Sequence, residues 1–597
     1  MPALALALCA MAAALGVGAG PAAAAGDDIF TVGFTNEVDS FNPFLGIEAE
    51  SYEMWGLMYD YLIGYSMEDM SVQPTGLAEE WETSEDGLTW TFRVHDGIEW
   101  SDGEPLTAKD VAYTYNRVID GGPEAATWGS YLGGVESVTA PDDTTVVLTL
   151  KKPNAVLPLL PIPIIPEHIW KDVSESEVKS YANEPTDGQP VVGSGPFRLV
   201  EGTAGGSTYR FEANPDYWQG APHIDGVTFR VFKAEDPAAQ ALIKGEIDFV
   251  DEVSPLVVDR LAKEDNVETN LGLSPSFNQI AFNAGAVDLE TGEPMGDGNP
   301  AVQDPKFRYA LGYALDLDQI AAKAFQGAAQ PGTTIVPPSF PTFRWEVPED
   351  EKFTFDLEKA GQLLDEAGYT MGDDGLRTMP DGSPIGELRL HARSDSGSSR
   401  DTMDFFSEWL AELGIESKVV PVESSKLTQI ILDGDFDVFE WGWYVDPDPD
   451  SMLSYFTCGQ RGNWSDSWYC DKEYDALYEA QRVELDDTKR AEMIKQMQQM
   501  LYEDAPYLVT TYDKTGEAYR SDRFEGFRPQ PDPGGVWLQQ FGTYNYSHIT
   551  PVAAGDSGEE SGTGTGVVVA LGVAALAVLG IGAVVVLRRR SSAEDRE

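Results

Sequence analysis

Trp100-Ser101-Asp102-Gly103-Glu104-Pro105-Leu106-Thr107-Ala108-Lys109-Asp110-Val111 leads into a helix. Thr107 is a residue type that caps helix N-termini, and apolar positions continue at helical spacing through Tyr115. Upstream, Leu88-Thr89-Trp90-Thr91-Phe92-Arg93-Val94 alternates polar and apolar residues as a strand does. Downstream, Val146-Val147-Leu148-Thr149-Leu150 does the same after a turn at Pro141-Asp142-Asp143. Residues 29–35 also alternate. Further helices are predicted over 307–325, over 356–368 with Asp356 as cap and Gly368 as stop, over 400–413 before Gly414, and over 488–502; 415–422 reads as a strand. Strands and helices interleave with no repeat of 20–50 residues, which excludes a solenoid. The pattern predicts a multi-lobed α/β protein.

The chain has 597 residues, room for about four units of ~150 residues. It carries 40 Lys and Arg against 100 Asp and Glu, a net charge of −60. A surface this acidic repels phosphate backbones, so no nucleic-acid partner is expected. The excess suits a solvated surface in a salty medium; the sharper alternative is steering of cationic ligands.

The ends point outside the cell. Residues 1–25 are apolar and small, close with Ala22-Ala23-Ala24-Ala25, and read as a secretory signal. Val567 to Leu587 is an unbroken apolar stretch followed by Arg588-Arg589-Arg590. About 20 such residues span a bilayer, and the basic triplet places the tail, 588–597, in the cytoplasm. Residues 551–566 read as a flexible stalk. The expected arrangement is a cell-surface, extracellular domain over 27–550, held to the plasma membrane by a C-terminal transmembrane helix. In that oxidising setting Cys458 and Cys470 form a candidate disulfide, worth on the order of 3 kcal/mol by loop entropy.

Catalytic patterns are poor. The five histidines, His95, His168, His223, His391 and His548, are scattered and read as core or surface residues. There is no phosphate-binding loop. Gly193-Ser194-Gly195 reads as a turn before Pro196. Asp446, Asp448 and Asp450 alternate like calcium ligands, but Pro447 and Pro449 intervene and Ser451 stands where the calcium loop needs Gly. No metal, cofactor or catalytic residue is implied.

Several segments together resemble the extracytoplasmic solute-binding proteins of peptide-type ABC importers, family 5. They are Asp39-Ser40-Phe41-Asn42-Pro43, Met58-Tyr59-Asp60-Tyr61-Leu62, Leu77-Ala78-Glu79-Glu80-Trp81 with Gly87 to Phe92, and the 100–111 stretch. Gly193-Ser194-Gly195-Pro196-Phe197, Asn214-Pro215-Asp216-Tyr217-Trp218, Asp304 to Leu311 with Ala314-Leu315-Asp316, and Asp356 to Tyr369 complete an ordered set across roughly 30–510. The resemblance implies a three-lobed, clamshell-like α/β fold. Lobe I would comprise about 27–74, 193–283 and 510–550, lobe II about 75–192, and lobe III about 284–509, with two chain crossings between I and III as hinge.

Glu440-Trp441-Gly442-Trp443-Tyr444-Val445-Asp446 is similar to the family segment whose Asp binds a peptide's α-ammonium and whose Trp lines a side-chain pocket. By position Asp446 and Trp443 take those roles, and Trp441 faces either the cavity or the core. A desolvated ammonium needs a buried counter-charge. No basic group for the peptide's carboxylate is identifiable; Arg393, Arg400 and Arg461 are candidates without a place. The implied protein is a monomeric, non-enzymatic receptor that passes small peptides to ABC permease subunits. An oligosaccharide or other small-solute receptor and a tethered extracellular hydrolase are the rival readings.

Overall fold

A computed structural model describes residues 28–552, apart from 47, 130, 158–159 and 539–541. The expected signal at 1–25, the stalk from 553 onward, the transmembrane stretch 567–587 and the tail lie outside the described residues. Among the described residues no helix is long and apolar enough to cross a membrane.

Two parallel cores share one large sheet. In the first, Ile29–Phe34 pairs in parallel with both Gly226–Val231 and Phe249–Val253. In the second, Leu388–Arg393 pairs in parallel with both Ser417–Val422 and Val438–Tyr444. Parallel neighbours need crossover segments. Helix Glu235–Lys244 supplies one in the first core, and Gly397–Glu412 and Ser424–Leu432 supply two in the second.

Two long antiparallel strands, Val267–Phe282 and Tyr507–Arg520, join the cores. Residues 267–273 pair with 514–520 beside the first core, and residues 277–281 pair with 507–512 beside the second. The ladder shifts register between Leu273 and Phe277. Pro275 sits in that gap, where a residue without an N–H costs no ladder bond. The two long strands run continuously from one core to the other, with the irregularity in mid-strand.

A separate four-stranded antiparallel sheet, in the order Ala78–Thr83, Thr89–Val94, Thr145–Leu150, Val135–Thr139, carries helix Ala108–Asp120. Thr107 caps that helix, and Asp110 reaches back to the Thr107 N–H at 2.9 Å, a reciprocal capping box. The strands at 89–94 and 145–150 bear out the alternation read in the sequence. One continuous apolar interior, including Trp55, Trp128 and Trp170, fuses this sheet with the first parallel core. The second parallel core packs around different clusters.

One expected helix is corrected. The 307–325 region divides into Pro305–Gly312, Leu317–Gln319 and a π-helical turn Ile320–Ala324. Asp316 restarts the helix by accepting the Gln319 N–H at 2.8 Å, so a capping residue inside the apolar pattern divides it.

Candidate functional site

Strand Val438–Tyr444 delivers Asp446 to the junction of the two cores. The Val445 N–H donates to the Pro275 carbonyl at 2.8 Å, inside the ladder gap of the long strands. The next residue, Asp446, accepts the Ser451 hydroxyl at 2.8 Å, and Ser451 lies on the short helix Asp450–Ser454. Burial raises the Asp446 carboxyl above its usual range; Ser451 opposes the shift and nearby Asp448 adds to it.

Asp446 lines a cavity of ≈ 480 Å³. Its walls come from Val32 and Phe34 at the end of Ile29–Phe34, from helix Ala49–Met58, from Tyr131, from Ser274 and Pro275 in the ladder gap, and from Tyr444. The cavity lies beyond the C-terminal ends of parallel strands, where open α/β sheets bind ligands.

The wall is acidic. Glu50, Glu53, Asp251 and Glu252 line it with Asp446, and no Lys, Arg or His is among the described lining residues. Glu50 and Glu53 sit three apart on one helix and share a face. Asp251 and Glu252 are neighbours in a strand and would normally point to opposite sides. Here the pairing of Phe249–Val253 shifts between Val250 and Val253, and Glu252 has φ of 54°. That irregularity turns both carboxylates to the same cavity. Burial pushes the Glu53 carboxyl up to about 8; the Tyr546 hydroxyl opposes this, and Glu50, Glu252 and Glu517 add repulsion. Asp251 is raised strongly by burial and by Glu517, Glu252 and Glu53.

The two tryptophans do not line this cavity. Strand alternation puts Trp441 and Trp443 out of phase with Tyr444. Trp443 donates its indole N–H to the Tyr507 hydroxyl at 3.2 Å, with its ring 5.0 Å from Tyr455. Trp441 lies under the Arg393 guanidinium at 5.1 Å. Arg393 pairs with the fully buried Glu440 at 3.1 Å, Arg400 is exposed, and Arg461 donates to the Cys458 carbonyl. None of the three arginines lines the cavity.

Asp448 and Asp450 have other partners. Asp448 forms a two-pronged ion pair with buried Arg490, and Asp450 accepts the Gln481 amide at 2.6 Å. Among the described residues no group of three or more His, Cys, Asp or Glu could hold a metal ion. Cys458 and Cys470 are joined in a disulfide. The acid wall and the tyrosines Tyr52, Tyr131 and Tyr444 escaped the sequence reading. The one available signal was Asp251-Glu252 at the end of an apolar strand.

Comparisons fit this geometry. The model of the bacterial extracellular solute-binding proteins, family 5 middle region, matches residues 73–464. The dipeptide-binding protein of Escherichia coli K12 is 27% identical over 509 residues, covering 81% of this chain and 89% of the relative. The ABC transporter substrate-binding protein CtaP of Listeria monocytogenes superposes with a TM-score of 0.71 at 25% identity, covering 88% of this chain and 99% of that one. The oligopeptide-binding protein AppA of Bacillus subtilis, solved with a nonapeptide, gives a TM-score of 0.64 at 26% identity, with 88% and 99% covered. With two parallel cores around a cavity and a family match over more than half its length, this chain belongs to the bacterial extracellular solute-binding proteins of family 5.

Proposed function

We propose that the protein is the substrate-binding receptor of an ABC importer, capturing a small peptide between its two parallel cores and delivering it to membrane permease subunits. The observation that carries this reading is the Asp446 carboxylate in the cavity wall with no cation among the described lining residues. A desolvated ammonium supplies the missing counter-charge. The cargo is supported by relatives whose names state dipeptide and oligopeptide binding. The protein acts as a non-enzymatic monomer. Lobes I and III correspond to the bodies on either side of the long strands, and lobe II to the four-stranded sheet with its helix. The apolar stretch Val567 to Leu587 tethers the receptor to the cell surface.

Native mass spectrometry of the purified protein tests the reading. A co-purified peptide supports it; a co-purified sugar, or peptide affinity unchanged by Asp446→Asn, overturns it.

A further inference from the structure

This inference rests on the functional reading above and names its guest more closely. The site is the cavity between the two cores, and its ≈ 480 Å³ fall in the ~300–1,000 Å³ range of small-molecule sites. Asp446 answers one ammonium. Four more carboxylates share the space, and they have donors but no balancing cation among the described lining residues. The Asn36 amide donates to Glu50 and to Glu252, at 2.6 Å each, which orients them without supplying a counter-charge. Glu53 accepts the Tyr546 hydroxyl. Behind this wall Glu517 accepts the N–H groups of Trp537 and Leu538.

A zwitterionic peptide with neutral side chains would set its carboxylate against this wall with no arginine or lysine among the described lining residues to receive it. A metal ion does not fit, because the acids do not converge as a ligand set among the described residues. Spread carboxylates suit spread cations. Tyr52, Tyr131 and Tyr444 add aromatic faces, which attract organic cations.

We propose that the guest carries two or more cationic groups along a flexible chain, one held by Asp446 and another by the wall of Glu53, Asp251 and Glu252. Short basic peptides and linear polyamines share this chemistry.

Isothermal titration of the purified full-length chain with Lys-Lys, spermidine and Ala-Ala tests it. Asp251→Asn and Glu53→Gln, with folding checked by circular dichroism, are titrated alongside Asp446→Asn. The expected result is that a doubly cationic guest binds at least about tenfold tighter than Ala-Ala, an advantage that Asp251→Asn or Glu53→Gln largely removes. An advantage for Lys-Lys alone identifies basic peptides, and one for spermidine alone identifies polyamines. Equal affinity for Ala-Ala and both cationic guests, or an advantage neither variant moves, overturns this inference and leaves the receptor reading standing. Unchanged binding of every guest to Asp446→Asn overturns the receptor site itself, and no binding by any of the three guests overturns both.

Discussion

Val445 donates its backbone N–H to the carbonyl of Pro275 at 2.8 Å, tying the residue before Asp446 to the mid-strand gap where the two cores meet. The Asp446 carboxylate is therefore held in register with the junction of the two cores. Val445→Pro removes that donor and leaves the Pro275 carbonyl unpaired. The expected cost is about 1–3 kcal/mol of stability, read from urea denaturation. Peptide affinity should fall with it, because Asp446 loses its register. Unaltered stability and affinity would show that the contact positions nothing.

Asp446→Asn keeps the size of the side chain and its bond with Ser451 but removes the charge. Affinity for an ammonium-bearing guest should drop by on the order of 2–5 kcal/mol, measured by calorimetry, with the fold retained. Trp443→Phe should have a smaller effect, because its indole bonds Tyr507 away from the cavity wall.

The acid wall sets a pH dependence. The Glu53 carboxyl is pushed up to about 8 from an ordinary 4.5, chiefly by burial. The groups facing it are Glu50, Glu252, Asp251, Glu517 and the Tyr546 hydroxyl. Between about 4.5 and 8 the folded protein keeps a proton that the unfolded chain has released, so this group lowers stability progressively as pH rises through that window. Below 4.5 both states are protonated and the penalty is absent. Glu53→Gln should accordingly be more stable than the parent at pH 8 by about 1–2 kcal/mol, with the gap closing toward pH 5, in thermal melts across that range. A cationic guest draws the same proton off, so binding near pH 7 should release protons, visible as a dependence of calorimetric enthalpy on buffer ionisation.

Local signals read well and long-range ones did not. Thr107 announced its helix because capping is decided within four residues, and Asp356 with Gly368 did so for the same reason. Asp446 was reached through a resemblance, and its sequence neighbour Trp443 was carried with it. Trp443 bonds Tyr507 away from the described lining of the Asp446 cavity, which a position-by-position likeness does not register. Glu53 and Asp251 lie about two hundred residues apart in the chain and meet only because the first parallel core folds them to one cavity. The strand irregularity at Val250–Val253, which brings Asp251 and Glu252 together, leaves no mark in composition or periodicity.

Asp448, which alternates with Asp446 and Asp450 in sequence, is buried in an ion pair rather than facing the cavity. It is 4% exposed and pairs through both oxygens with Arg490, itself 5% exposed on helix Asp487–Asp504. Arg490 also donates to the Gln481 side chain at 3.0 Å and lies 5.4 Å from the Phe343 ring. Removing one partner strands a buried charge, whereas removing both leaves an apolar site. Asp448→Ala should therefore cost about 3–5 kcal/mol, and Asp448→Leu combined with Arg490→Met should recover most of it. Urea denaturation of the single and double variants decides the matter. Since Pro447 alone separates Asp448 from Asp446, the single variant should also weaken guest binding, and the double variant should restore it. A double variant that recovers stability but not affinity would assign the ion pair a part in aiming the Asp446 loop beyond holding the fold.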